Sequence, residues 1–150
     1  MHRRELLTYA LTYGTGSLLL SLVPIPLTAQ VKQTLASVYG ERALGSGRVQ
    51  LKIPALAENG NSVALTVTVD SPMSAADYVS EIRIFAPKNP VPQLARYQLY
   101  PGTGRATVSS RIRLSDTQVI TAVAEMNDGS LWAGSTETIV TLAACIEPLL

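Results

Sequence analysis

A chain of 150 residues, 47% apolar and 15% charged, is long enough for one domain and apolar enough to bury a core, which excludes an intrinsically disordered chain. Its formal charge of +1, with no Lys/Arg cluster after the first few residues, excludes the field that would recruit nucleic acid or an anionic membrane surface.

Residues 1–29 read as an export signal rather than as part of the fold. His2, Arg3 and Arg4 form a basic start, Leu6 to Leu27 is mostly apolar, and Leu27-Thr28-Ala29 ends on a small residue. That charged, apolar, small-residue order is the pattern of a secretory signal. The adjacent arginines match a twin-arginine signal, and cleavage is expected near Ala29. Pro24 and Pro26 break the apolar stretch, so the uninterrupted run is short for a membrane span. The expected compartment is the periplasm, with no membrane attachment after cleavage. Loss of the signal removes His2, the sole histidine.

Residues 30–47 read as a short amphipathic helix and a Gly-rich linker. Val31, Leu35 and Val38 form one stripe at i, i+4 and i+7; Gly40 weakens the end, and Gly45-Ser46-Gly47 closes it off.

Residues 48–142 change to period two. Val49, Leu51 and Ile53 alternate with polar neighbours until Pro54, and Asn59-Gly60 marks a turn. Val63, Leu65, Val67 and Val69 alternate with Ala64, Thr66 and Thr68, a strand with one buried face. Tyr78 to Ala86 reads as a further strand, and Pro87, Pro90 and Pro92 mark a loop. Ala95 to Tyr100 and Arg105 to Leu114 flank Pro101-Gly102-Thr103-Gly104 as an expected hairpin. Gln118 to Met126 and Ser130 to Leu142 flank Asn127-Asp128-Gly129 as a second. About seven short strands with frequent turns predict an all-β fold, an immunoglobulin-like antiparallel β-sandwich preceded by a short N-terminal helix. Trp132 is expected in the core.

The chemistry available is narrow. Without histidine the mature chain has no Ser-His-Asp or Cys-His pairing and no histidine-based metal site. Its carboxylates (Asp70, Asp77, Glu81, Asp116, Glu125, Asp128, Glu137) show no calcium-loop spacing. Gly102-Thr103-Gly104 lacks the remainder of a phosphate loop. Arg111 and Arg113 share one strand face, either as a solvated face or as an anion or partner contact.

Cys145 is the one cysteine, so no internal disulfide can form; a lone thiol in an exported chain points to intermolecular pairing or reactivity. It opens onto Ile146, Glu147, Pro148, Leu149 and Leu150, at a chain end of the kind that is loosely held unless docked. Glu147 and the terminal carboxylate disfavour its thiolate. These features fit a thiol whose chemistry is performed in another protein's site, and equally a buried or idle cysteine.

Several separate stretches closely resemble the SoxY thiosulfate-oxidation carrier family. They are Ile53-Pro54-Ala55-Leu56-Ala57-Glu58-Asn59-Gly60, running on to Val67-Thr68-Val69-Asp70-Ser71-Pro72-Met73; Ile84-Phe85-Ala86-Pro87-Lys88-Asn89-Pro90; and Arg111-Ile112-Arg113-Leu114, leading to Ala122-Val123-Ala124-Glu125-Met126 and Asp128-Gly129-Ser130. The resemblance implies a non-enzymatic carrier paired with a SoxZ-like subunit, whose arm cysteine holds sulfur intermediates while partner enzymes act on them. Those partners are a c-type cytochrome that couples thiosulfate to the cysteine and a hydrolase that releases sulfate. Cys145 matches the carrier position, and the resemblance calls for no cofactor and no metal on the carrier. The arm would be residues 143–150, with Ala143, Ala144, Ile146 and Glu147 around the cysteine. It departs from the family's usual Gly-Gly-Cys-Gly-Gly, and glycine is the slimmer and freer backbone. Three alternatives remain at this point: a β-sandwich binding or structural module with an inactive arm, a homodimer disulfide-linked through Cys145, and an enzyme in its own right, against which the absence of histidine and of clustered ligands argues.

Overall fold

The computed structural model describes residues 27–144. The elements are α1 (Leu27–Tyr39), β1 (Leu44–Gly45), β2 (Val49–Lys52), β3 (Leu56–Ala57), β4 (Val63–Val69), β5 (Val79–Phe85), β6 (Gln93–Gln98), β7 (Thr107–Ile112), β8 (Gln118–Met126) and β9 (Leu131–Val140). One sheet runs β1-β9-β8-β5-β6, with β3 also paired to β9; the other runs β2-β4-β7. The expected sandwich is therefore present. Residues 1–26 of the expected export signal lie outside the described residues, and Leu27 to Ala29 begin α1. Among the described residues, no helix is long and apolar enough to cross a membrane.

The period-two pattern acts through burial. In β4, Val63, Leu65, Val67 and Val69 face inward and pack with Ile82, Ile84, Ile120, Ala122 and Ala124 of the larger sheet. The other face of β4 is polar, where Thr66 bonds Ser109 across the pair with β7. β8 alternates far less, because both of its faces are covered. Its second face carries Val123, which packs with Phe85, Leu131, Leu35 and Tyr39 beneath α1.

Two expectations about the helix and its linker are corrected. The apolar stripe runs through Val31, Leu35 and Tyr39, while Val38 is 37% exposed. With 3.6 residues per turn, i+8 stays on the stripe that i and i+4 define. The segment read as a Gly-rich linker contains β1, which pairs in parallel with the start of β9. Gly45 serves close approach there, since a Cβ on it would stand 2.7 Å from the Trp132 ring. Trp132 is half-buried, packed against the core with the Arg48 guanidinium 5.1 Å from its ring centre.

The sandwich is not purely antiparallel, because β3 also pairs in parallel, with the end of β9. Between β1 and β3 the chain crosses to the smaller sheet as β2. Gly134 permits that crossing: a Cβ on it would lie 2.4 Å from the Val49 carbonyl oxygen.

One expected hairpin forms and the other does not. At Asn127-Asp128-Gly129, Gly129 adopts φ 84° and the Met126 N–H donates to the Ser130 carbonyl at 2.9 Å, joining β8 to β9. At Pro101-Gly102-Thr103-Gly104 the flanking strands enter different sheets, β6 beside β5 and β7 beside β4. A short 3-10 turn over Pro101–Thr103 carries the chain between the layers. Alternation on both sides of a turn signals a buried face for each strand, not a shared sheet.

The end of α1 is held by charge and burial. The Glu81 carboxylate accepts hydrogen bonds from Arg83 and Arg96, and Arg83 lies over the Tyr39 ring at 5.5 Å. The Tyr39 phenol is pushed up to about 12, chiefly by burial, against the opposing pull of Arg83. The fold thus favours the neutral phenol. That stabilisation is fully present below the unfolded value of 10.0 and is lost as pH rises toward about 12. Unfolding midpoints measured from about pH 9 to 12 are expected to fall more steeply for the natural chain than for Tyr39→Phe, and equal slopes would contradict this account.

Candidate functional site

The carboxy-terminal end of β9 is knitted into two loops. The Val140 N–H donates to Thr117 Oγ1 at 2.9 Å. One residue on, the Thr141 N–H donates to the Ala57 carbonyl at 3.1 Å and its hydroxyl to the Glu58 carbonyl at 3.0 Å. The Leu142 carbonyl then accepts from the Gly60 N–H at 2.7 Å, and the Ala144 N–H donates to the Leu114 carbonyl at 3.1 Å. The same Leu114 donates its N–H to the Gly60 carbonyl at 2.8 Å.

Of the expected site residues, Ala143 is exposed and Ala144 half-buried. Cys145, Ile146 and Glu147 lie outside the described residues. The backbone is therefore hydrogen-bonded to the sandwich up to the residue that precedes the cysteine. Sequence reasoning missed this root. Asn59-Gly60 reads as a turn, and the Asn59 side chain does accept from the Asn61 N–H at 2.9 Å, but nothing in that dipeptide announces contact with residues 114 and 144.

The surroundings of the root are apolar and chemically quiet. Leu56, Ile139 and Leu142 are exposed, and Leu56 sits beside Ile139 across the β3–β9 pair. Asp116, in the adjoining loop, is held below the usual carboxylate range by its hydrogen bond from Lys88, 3.0 Å away. Its charge is thus matched locally rather than offered to a reacting group. Among the described residues, no three His, Cys, Asp or Glu side chains come together in a way that could hold a metal ion. Arg111 and Arg113 both lie exposed on the smaller sheet's side, and Arg111 donates to Ser62 Oγ at 3.2 Å.

Fold and root together define a class: an immunoglobulin-like sandwich buttressed, among the described residues, by one helix, with its backbone anchored up to the residue before the candidate cysteine. The family model described as Sulfur oxidation protein SoxY matches residues 35–145. The chain belongs to the SoxY family.

Among solved structures, the sulfur carrier protein SoxY from Chlorobium limicola f thiosulfatophilum is 28% identical, with a TM-score of 0.62 over 77% of this chain and 99% of its own. The superoxide reductase (neelaredoxin) from Ignicoccus hospitalis is 21% identical, with a TM-score of 0.55 over 63% of this chain and 80% of its own. The superoxide reductase from Nanoarchaeum equitans is 14% identical, with a TM-score of 0.51 over 63% of this chain and 99% of its own. At those identities the superoxide reductases are alike in fold alone. No curated protein sequence matches the chain.

Proposed function

We propose that this chain is a periplasmic carrier of covalently bound sulfur in thiosulfate oxidation, with Cys145 as the attachment point. One observation carries the reading: the family match runs through residue 145, so it includes the sole cysteine. The hydrogen-bonded root then supports a thiol delivered at the surface, where another protein can enclose it.

The chemistry requires partners. Coupling the cysteine thiol to thiosulfate forms a sulfur–sulfur bond, releases one proton and removes two electrons, giving a cysteine S-thiosulfonate. The electrons need an acceptor, which a c-type cytochrome supplies. Water then cleaves the sulfur–sulfonate bond, releasing sulfate and leaving a persulfide on the cysteine. A hydrolase performs that step. The carrier itself contributes a nucleophilic sulfur and a tether, and neither role needs a cofactor or a metal. A SoxZ-like subunit is the expected stable partner.

A second reading, an inactive module with an idle cysteine, draws on the arm. Ala143-Ala144-Cys145-Ile146-Glu147 replaces the glycine-rich pattern, and Ala144 is tied to Leu114. The two readings separate in the intact mass of the protein purified from periplasm of thiosulfate-grown cells, with and without reductant. Reductant-labile mass mapping to Cys145 is the result expected of a carrier. A bare thiol, in a preparation protected from reduction, is the result that overturns it.

A further inference from the structure

We propose that the exposed apolar patch around the chain root, formed by Leu56, Ile139 and Leu142 with Pro54, Ala55 and Ala143 beside them, is the docking surface for the enzyme that couples thiosulfate to Cys145. The proposal rests on the carrier reading and names the partner that must stand closest to the root.

Of the seven exposed large apolar side chains among the described residues, three stand here: Leu56 at 52%, Ile139 at 52% and Leu142 at 61% exposure. The backbone brings them together. Leu56 is paired with Ile139 across β3 and β9, and the Ile139 N–H donates to the Ala55 carbonyl at 2.9 Å. Leu142 follows three residues on, its carbonyl held by the Gly60 N–H at 2.7 Å. Pro54, Ala55 and Ala143 are exposed as well and extend the patch without adding charge. Single exposed leucines need no explanation, but a cluster of them at one place on a small domain marks an interaction site.

Covalent geometry says what must cover the patch. Ala144 is tied to the Leu114 carbonyl at 3.1 Å, and one peptide link keeps the Cys145 sulfur within roughly 7 Å of the Ala144 Cα, whatever its conformation. An enzyme that forms a bond at that sulfur must therefore bring its surface onto residues 142–144 and their neighbours. Coupling makes the sulfur–sulfur bond at the cysteine sulfur itself, releasing one proton and passing two electrons to the enzyme. The later hydrolysis cuts a bond one sulfur further out, about 2 Å away. The coupling enzyme is thus the partner that presses closest to the root. Charge fits the same occupant. A site that holds the thiosulfate dianion needs cations at its mouth, and carboxylates flank the patch to meet them. Glu137 is exposed two residues before Ile139 on the same strand face, and Glu58 is exposed beside Thr141, whose hydroxyl donates to its carbonyl at 3.0 Å. Lys52, the cation nearest to Pro54 along the chain, belongs to β2 of the smaller sheet.

The test uses the full mature chain, with whatever subunit stays bound to it, and the coupling enzyme purified from the same periplasm by its thiosulfate-dependent loading of Cys145. Leu56→Lys and Ile139→Lys each place a charge on the patch, at positions exposed enough to leave the fold intact. Each is expected to raise KM for the carrier about tenfold while kcat changes less than about twofold, because docking is lost and the chemistry is not. Val91→Lys, at an exposed apolar side chain just before β6, is expected to leave KM unchanged. Iodoacetamide is expected to alkylate Cys145 at the natural rate in all three variants, which separates lost docking from a damaged thiol. Loading of the natural chain with unchanged KM in both patch variants overturns the docking surface and leaves the carrier reading standing. No loading of the natural chain removes the carrier reading, and the proposal with it. A patch variant that sheds the bound subunit on gel filtration assigns the patch to that subunit and also overturns the proposal.

Discussion

Replacing Cys145 with serine is expected to abolish thiosulfate oxidation in a host that depends on this chain, and to remove all reductant-labile mass from the purified protein. The argument is chemical. Sulfur transfer through sulfur–sulfur bonds needs a thiolate, and a free thiol with a pKa near 8.5 has a few per cent of it at neutral pH. A serine hydroxyl has neither the accessible anion nor the capacity to form a bond that thiol chemistry later breaks. Because this is the only cysteine, no second thiol can take its place. The fold should be unaffected, since the anchoring hydrogen bonds of the chain end involve backbone atoms of Leu142 and Ala144 and lie before the substituted residue. Oxygen uptake on thiosulfate, intact mass and thermal midpoint, measured together, check the prediction. Undiminished uptake with Cys145→Ser would falsify the carrier role.

Replacing Phe85 with alanine is expected to cost about 3–5 kcal/mol of folding stability, the usual range for truncating a fully buried aromatic ring. Phe85 has no exposed surface and lies between α1 and the larger sheet, packed with Leu35, Tyr39, Val123 and Leu131. Its ring meets the Tyr39 ring edge-on, centroids 6.1 Å apart at 72°. Removing it opens a void that the sheet backbone cannot close, and it takes away the contact that seats the helix. Val91→Ala serves as the control: Val91 is 69% exposed, and its loss should change stability by no more than about 0.5 kcal/mol. Denaturant midpoints for the two variants test the contrast. Faster tryptic cleavage at Lys32, an exposed residue within α1, would identify the helix as the part released from Phe85→Ala. A Phe85 variant within 1 kcal/mol of the natural chain, a limit well under the range for buried rings, would mean that the helix is not seated by this contact.

Much of the architecture was legible because local pattern and tertiary role agree. β4 and β8 form over the residues at which the sequence expects them, and the Asn127-Asp128-Gly129 hairpin follows from glycine's access to positive φ. β1 and β3 were illegible, since two-residue strands carry no periodicity. Their existence depends on β9 offering an open edge beside them. The Pro101 turn was misread for a related reason: a turn signature does not say into which layer the chain emerges.

The sequence by itself determined the chemistry of this protein. It contains one thiol, Cys145, and one histidine, His2, and its alternating apolar residues must bury one face of each strand. Only the tertiary structure decided how strands divide between sheets, why Val38 yields to Tyr39 beneath the helix, and where the chain end is fastened. The physical reason is range. Nucleophilicity and strand alternation belong to a residue and its neighbours, whereas Gly60 and Gly134 are set by atoms of Leu114, Ala144 and Val49 that only folding brings within van der Waals distance.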